Sequence, residues 1–175
     1  MDYDRSLLLK TARKSLETYF SGEEYVIPST QIRRGAFVTL RKHGTLRGCI
    51  GYMTGIEPLY KEVFILARDA AFNDFRFPPL ERAELEELTI EVSVLTEPEK
   101  IETLDEFVLS RDGIIFSQNG RRAVFLPQVA DETGWDKDTL LSELSLKAGL
   151  GRNSWKSPDA VFMTFQAEVS DESDL

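Results

Sequence analysis

The feature that most constrains this chain is a pair of short alternating segments joined by a turn signal. Ala36 to Lys42 and Leu46 to Gly51 alternate apolar with polar or small residues on either side of His43-Gly44. A period of two marks a strand with one buried face. A hairpin of that kind must find a second layer to cover its apolar side.

The sequence offers the cover. Arg5 to Phe20 reads as an amphipathic helix, with Leu8, Leu9, Ala12, Leu16, Tyr19 and Phe20 at helical spacing, Asp4 before it and Gly22 after it. Pro58 opens a second helix, since its missing N–H would be unpaired there anyway. Its buried stripe is Leu59, Val63, Leu66, Ala67, Ala70 and Ala71, and Phe77-Pro78-Pro79 is expected to stop it. Thr89 to Thr96 predicts a strand. Thr103 and Glu106 fit a capping box over a short helix. Gly113 to Ser117 and Arg121 to Leu126 predict a hairpin around Asn119-Gly120. Pro127 to Asp136 reads as a long polar loop. Asp138 is expected to cap a helix through Ala148, closed by Gly149. Ala160 to Val169 predicts a final strand, and Asp171 to Leu175 a frayed tail. Hairpins separated by helices give an α+β class, with a mixed, mostly antiparallel sheet flanked by helices.

A length of 175 residues predicts a single domain over 1–175. The longest run without a charged residue is the nine residues Gly48 to Ile56, too short for a membrane span of ~18. The start, MDYDRSLLLK, lacks the apolar core of a signal peptide, so the expected location is cytoplasmic. One cysteine excludes an internal disulfide and a cysteine-based zinc site, and no metal-ligand cluster is visible.

The net charge of −9 is uneven: +3 over residues 1–80 and −12 over 81–175. Tyr25 to Ile56 contains no acid, yet holds Arg33, Arg34, Arg41, Lys42, Arg47, the only histidine (His43) and the only cysteine (Cys49). So few cations on so acidic a chain argue against general nucleic-acid binding. They suit a local site for something small and negative.

Cys49 is the candidate nucleophile. Two registers are open. A three-residue loop, His43 to Thr45, sets Cys49 on one face with Thr39, Arg41 and Arg47; a two-residue turn sets it beside Val38. The first is preferred because it leaves one consistently buried face. Guanidiniums near the thiol would favour thiolate. Gly48 and Gly51 inside a strand suggest a bulge or a close approach of another backbone or a ligand. Asp69, Asn73, Asp74 and Arg76 cluster near the end of the second helix, as an ion pair with a helix stop or as ligand groups. Glu91 sits on the polar side of its strand and reads as solvated. Gln128 and Trp135 flank the polar loop and could line a pocket.

These segments resemble the AMMECR-one domain family. The resemblance is carried by Gly35 to Leu40, His43-Gly44, Leu46-Arg-Gly-Cys-Ile-Gly51, Ala70-Ala-Phe72, Arg76-Phe-Pro-Pro-Leu80, Ile90 to Leu95, Leu126 to Val129, Gly134-Trp-Asp136 and Lys147-Ala-Gly-Leu150. It implies an α/β fold with a larger and a smaller subdomain. It also implies a likeness to the protein A component of the Amme–Memo–RadiSam system, with radical-enzyme and Memo-like partners. Its site residues carry over to Arg47, Gly48 and Cys49, then Arg76, Glu91 and Gln128. Two positions depart from the pattern. Asp74-Phe75 stands where many relatives have Asp-Pro, and Leu144-Ser145-Leu146 stands where many have a second cysteine, so no two-thiol mechanism is expected.

Three functions compete. The first is a thiol-dependent enzyme in which Cys49 attacks a small anionic substrate held by Arg47 with Arg41 or Arg76. The second is a non-catalytic module binding an anion, nucleotide or peptide. The third is an interaction component whose acidic second half docks to partners. No cofactor follows from the sequence.

Overall fold

The computed structural model describes residues 2–175. The chain divides into two units, Met1–Leu95 with Glu168–Leu175, and Thr96–Ala167. The α+β expectation holds, with the strands shared between two four-stranded sheets.

The first unit begins with helix α1, Arg5–Ser21. Asp4 caps it by accepting from the Leu7 N–H, and Gly22 ends it in the left-handed conformation. Strands β1 (Ala36–Lys42) and β2 (Thr45–Tyr52) follow, then helix α2 (Leu59–Phe72) and strand β3 (Leu88–Leu95). The sheet order is β2-β1-β3-β8, with β8 at Ala167–Asp171. On the inner face Val38, Leu40, Ile90, Val92 and Val94 are fully buried, as are Leu8, Ala12 and Leu16 of α1 and Val63, Leu66 and Ala67 of α2. Helix α2 packs on β1 and β2, and α1 on β3. This is the layer the hairpin required.

The second unit has the order β4-β7-β5-β6, with β4 at Glu99–Ile101, β5 at Gly113–Gln118, β6 at Arg121–Phe125 and β7 at Val161–Phe165. Its core joins Ile114, Phe116 and Phe162 to Leu140, Leu141 and Leu144 of helix α4, Lys137–Lys147.

Several expectations are corrected. Helix α2 ends at Phe72, ahead of the two prolines, with the Asn73 N–H on the Asp69 carbonyl. The polar loop contains a short helix, α3, Val129–Thr133. Asp136, not Asp138, caps α4 through the Thr139 N–H. The final strand is two strands broken at Gln166, so β7 and β8 serve different sheets. Strand β4 lacked a sequence signal, being only three residues long. The tail is held rather than frayed. Glu172 accepts from Arg13 and from the Ile90 N–H, which ties the end of the chain to α1 and β3.

Candidate functional site

The His43-Gly44 turn has two residues, both at positive φ (51° and 78°). Lys42 pairs with Thr45 and Arg41 with Leu46, which is the two-residue register. The pairing then shifts, and Leu40 meets Gly48 while Thr39 meets Cys49. Arg47 is the extra residue of a β-bulge. The expected juxtaposition of Cys49 and Thr39 is therefore right, but a bulge produces it rather than a longer loop.

The bulge is fixed from two sides. Arg47, only 8% exposed, forks onto Glu84 through Nε (2.9 Å) and Nη2 (3.1 Å). The hydrogen bond from Arg47 draws the Glu84 carboxyl down to about 2. Lys42 binds Glu84 and Glu87, and His43 binds Glu87. Three basic groups of the acid-free stretch, Lys42, His43 and Arg47, are thus answered by acids of the 3-10 turn Arg82–Glu87. Arg47 does not stand free beside the thiol, as expected of an anion ligand; only its Nη1 lacks a partner, and that atom is buried. Gly48 holds the other side. A Cβ there would lie 2.0 Å from the Ala70 carbonyl oxygen, so this glycine admits the backbone of α2 rather than a ligand.

Strand β2 is an edge of its sheet, so the outward backbone groups of Cys49 need partners. Asp74 accepts the Cys49 N–H at 3.0 Å. Arg76 clamps Asp74 through Nε (3.0 Å) and Nη2 (2.7 Å), and Nη2 also reaches the Cys49 carbonyl at 3.4 Å. Asp74 is nearly buried, and the Arg76 hydrogen bond holds its carboxyl far below the usual carboxylate range. The Arg76 side chain stays 48% exposed. The sequence grouped Asp69, Asn73, Asp74 and Arg76 together. In the structure they form two separate pairs, because the Asn73 amide donates to Asp69 at 2.7 Å.

Because Cys49 turns its backbone outward, its pairing with Thr39 is of the kind that brings side chains closest. The Thr39 hydroxyl donates to the Cys49 sulfur at 3.3 Å. On the other flank of β1, Thr39 stands opposite Glu91. Cys49, Thr39 and Glu91 thus form one lateral row across three strands, about 4.8 Å apart in backbone spacing. Glu91 is half-buried rather than solvated. Burial raises its pKa, against a smaller opposing pull from Arg41.

Of the expected site residues, Cys49, Arg41, Arg76 and Glu91 come together in the first unit. Thr39 and Asp74 complete the group. The sequence placed Thr39 on the right face without giving it a role, and Asp74 read as part of an ion pair and helix stop or a ligand group. Gln128 belongs to the second unit, exposed just ahead of α3. Trp135 packs on Phe125, with ring centroids 6.0 Å apart. His43 is exposed in its turn. Among the described residues no group of three or more His, Cys, Asp or Glu is placed to hold a metal ion. No helix there is long and apolar enough to cross a membrane.

Comparison with known proteins follows this geometry. A family model described as AMMECR1 matches residues 9–170. A protein of Methanopyrus kandleri is 40% identical over 181 residues, covering 95% of this chain and 87% of that protein. One of Methanothermobacter thermautotrophicus is 40% identical over 177 residues, covering 94% and 92%. The crystal structure of an uncharacterised protein from Pyrococcus horikoshii is 36% identical with a TM-score of 0.74, covering 93% of this chain and 88% of that one.

Proposed function

This chain belongs to the AMMECR1 family, and from that premise we propose that its first unit carries a thiol-dependent site for a small anionic electrophile. The observation that carries the reading is the row Cys49–Thr39–Glu91, flanked by the half-exposed Arg76 guanidinium. Each member supplies something the chemistry needs. The Thr39 hydroxyl donates to the sulfur and holds it in the row. Glu91, its carboxyl made more basic by burial, is the acceptor for the thiol proton. Arg76 and Arg41 hold the negative group of the substrate, with Arg76 better placed because it already reaches the Cys49 carbonyl.

The step balances without a cofactor. The Cys49 S–H proton passes to the Thr39 hydroxyl oxygen as the Thr39 hydroxyl proton passes to Glu91, a relay along the row. The sulfur lone pair forms a bond to the electrophilic atom of the substrate, and the leaving group departs with the electrons of its own bond.

Two alkylating agents of similar size test the proposal. Iodoacetate carries the anionic group, and iodoacetamide does not. With folded protein at pH 7, Cys49 should react faster than a free thiol and should favour iodoacetate more than a free thiol does. Arg76→Met should abolish that preference while Cys49 still reacts with iodoacetamide. Reaction no faster than a free thiol with both reagents at every pH rules the site out as activated chemistry. An unchanged iodoacetate preference in Arg76→Met removes Arg76 from anion binding.

A further inference from the structure

A second concavity in the first unit, outside the Cys49 row, lies where α1 and α2 meet. Tyr19, Phe64, Arg68, Asp69 and Phe72 line a cleft of about 430 Å³. That volume falls in the ~300–1,000 Å³ range of small-molecule sites. Its walls are aromatic. Tyr19 and Phe72 stack with centroids 4.0 Å apart, and Phe64 lies parallel to Tyr25 at 6.1 Å. Tyr19 is half exposed although it belongs to this stack.

Arg68 gives the cleft its chemistry. Its guanidinium carbon lies 4.7 Å from the Phe64 ring centre and 5.7 Å from that of Tyr19, so rings hold the group in place. Nε donates to the Ser15 carbonyl at 3.2 Å, and Nη2 makes a longer contact of 3.4 Å to the Thr18 hydroxyl. Both bonds use one edge of the fork and anchor it to the last turns of α1. The opposite edge, Nη1 with the second hydrogen of Nη2, meets no acceptor among the described residues. A guanidinium presents two such edges, and each fits a carboxylate in its plane. Asp69 does not answer Arg68; one of its oxygens accepts from the Asn73 amide at 2.7 Å.

We propose that this cleft binds a small aromatic carboxylate. The carboxylate forks onto the free edge of Arg68, and the ring lies against the Tyr19–Phe72 stack. Arg68 is a good anchor because it is already immobilised, so little side-chain entropy is lost on binding. The proposal is independent of the Cys49 row and needs none of its residues.

Titration of 15N-labelled protein tests it, with phenylacetate as probe and acetate and 2-phenylethanol as its separate halves. Phenylacetate should give saturable shifts at the amides of Tyr19, Phe64, Arg68 and Phe72. Each half alone should bind about tenfold more weakly or worse. Arg68→Gln should lose the carboxylate preference. Because Arg68 also anchors α1, Tyr19→Ala serves as a second variant; it removes a half-exposed ring and should weaken phenylacetate about fivefold. Saturation by acetate alone, shifts confined to other parts of the protein, no saturation, or unchanged affinity in Tyr19→Ala would each overturn the proposal.

Discussion

The two hairpins of this protein start alike and end differently. Both turn on two residues at positive φ, His43-Gly44 (51° and 78°) and Asn119-Gly120 (51° and 74°), the conformation that matches the twist of paired strands. From Asn119-Gly120 the β5–β6 ladder runs without interruption, Gln118 to Arg121 through Ile114 to Phe125. From His43-Gly44 the β1–β2 ladder keeps step for two pairs and then takes in one extra residue, Arg47. Without that bulge, with Arg47 paired in step, Cys49 would stand opposite Val38, which belongs to the buried face. With it, Cys49 stands opposite Thr39 and in line with Glu91. A turn thus sets the first pairs of a hairpin, and contacts further along decide which face Cys49 takes.

If Gly48 helps hold the bulge, a methyl group at Gly48 and one at Gly120 should have very different effects. A Cβ on Gly48 would lie 2.0 Å from the Ala70 carbonyl oxygen, and neither backbone can move without disturbing the α2–sheet packing. Gly48→Ala should cost about 3 kcal/mol or more. Gly120→Ala meets nothing within 4 Å and carries only the left-handed strain of its φ of 74°, about 1 kcal/mol. Urea unfolding of both variants makes the comparison. Equal losses would mean that α2 does not hold the bulge in place.

The same contrast shows what could be read from the amino-acid sequence. Alternation located β1, β2 and β3, because a half-buried strand repeats every two residues whatever lies around it, and the Asn119-Gly120 turn signal located β5 and β6. Helical spacing with caps located α1, α2 and α4. The bulge was not legible. Arg47 and Leu46 differ only in which contacts await them, and Glu84 lies 37 residues away in a short 3-10 turn with no periodicity of its own. Asp74 was singled out beside Arg76, with which it does pair, but only the fold shows that an edge-strand N–H needs it. Glu91 was located correctly on the polar side of β3, but its half-burial depends on the fold that brings Arg41 and Asp171 near it, which no local pattern encodes. The face of Cys49 was anticipated because one apolar side had to be buried; the means of achieving it was not.

A smaller difference separates the arginines of the two hairpins. Arg122 stands opposite Ser117 on β6 and is exposed, so Arg122→Ala should change stability by less than about 0.5 kcal/mol. Arg47→Ala leaves the mostly buried Glu84 with Lys42 as its one cation and the Glu81 N–H as its other donor, a loss of about 3 kcal/mol if these do not compensate. The pair also has an acid signature. The Glu84 carboxyl titrates at about 2 in the folded protein against an ordinary 4.5, so it is depressed. Its contribution is present in full above pH 4.5 and is lost as pH falls from there through 2. Asp74, depressed by Arg76, acts in the same direction. Glu84→Gln should therefore flatten the fall in urea midpoint between pH 5 and pH 2. An unchanged slope would show that the fork does not hold Glu84 ionised.

The smallest expected effect on stability is the most informative about function. Glu91 has the opposite sign to Glu84: burial raises its pKa, so the folded protein holds that proton more tightly than the unfolded chain. Its charge therefore costs stability once pH exceeds the folded value, and costs nothing below the ordinary value of 4.5. Glu91→Gln should raise the melting temperature at pH 8 by about 1–2 °C, a small effect because the group is only half-buried, and should leave it unchanged at pH 4. The same substitution should slow iodoacetamide alkylation of Cys49 at neutral pH by removing the proton acceptor in the row. A more stable protein with a less reactive thiol is the pattern expected when a strained charge is kept for chemistry. A more stable protein with unaltered alkylation would make Glu91 an incidental burial and leave the thiol without a base. A less stable protein at pH 8 would mean that the attraction of Arg41 outweighs the desolvation of the carboxylate.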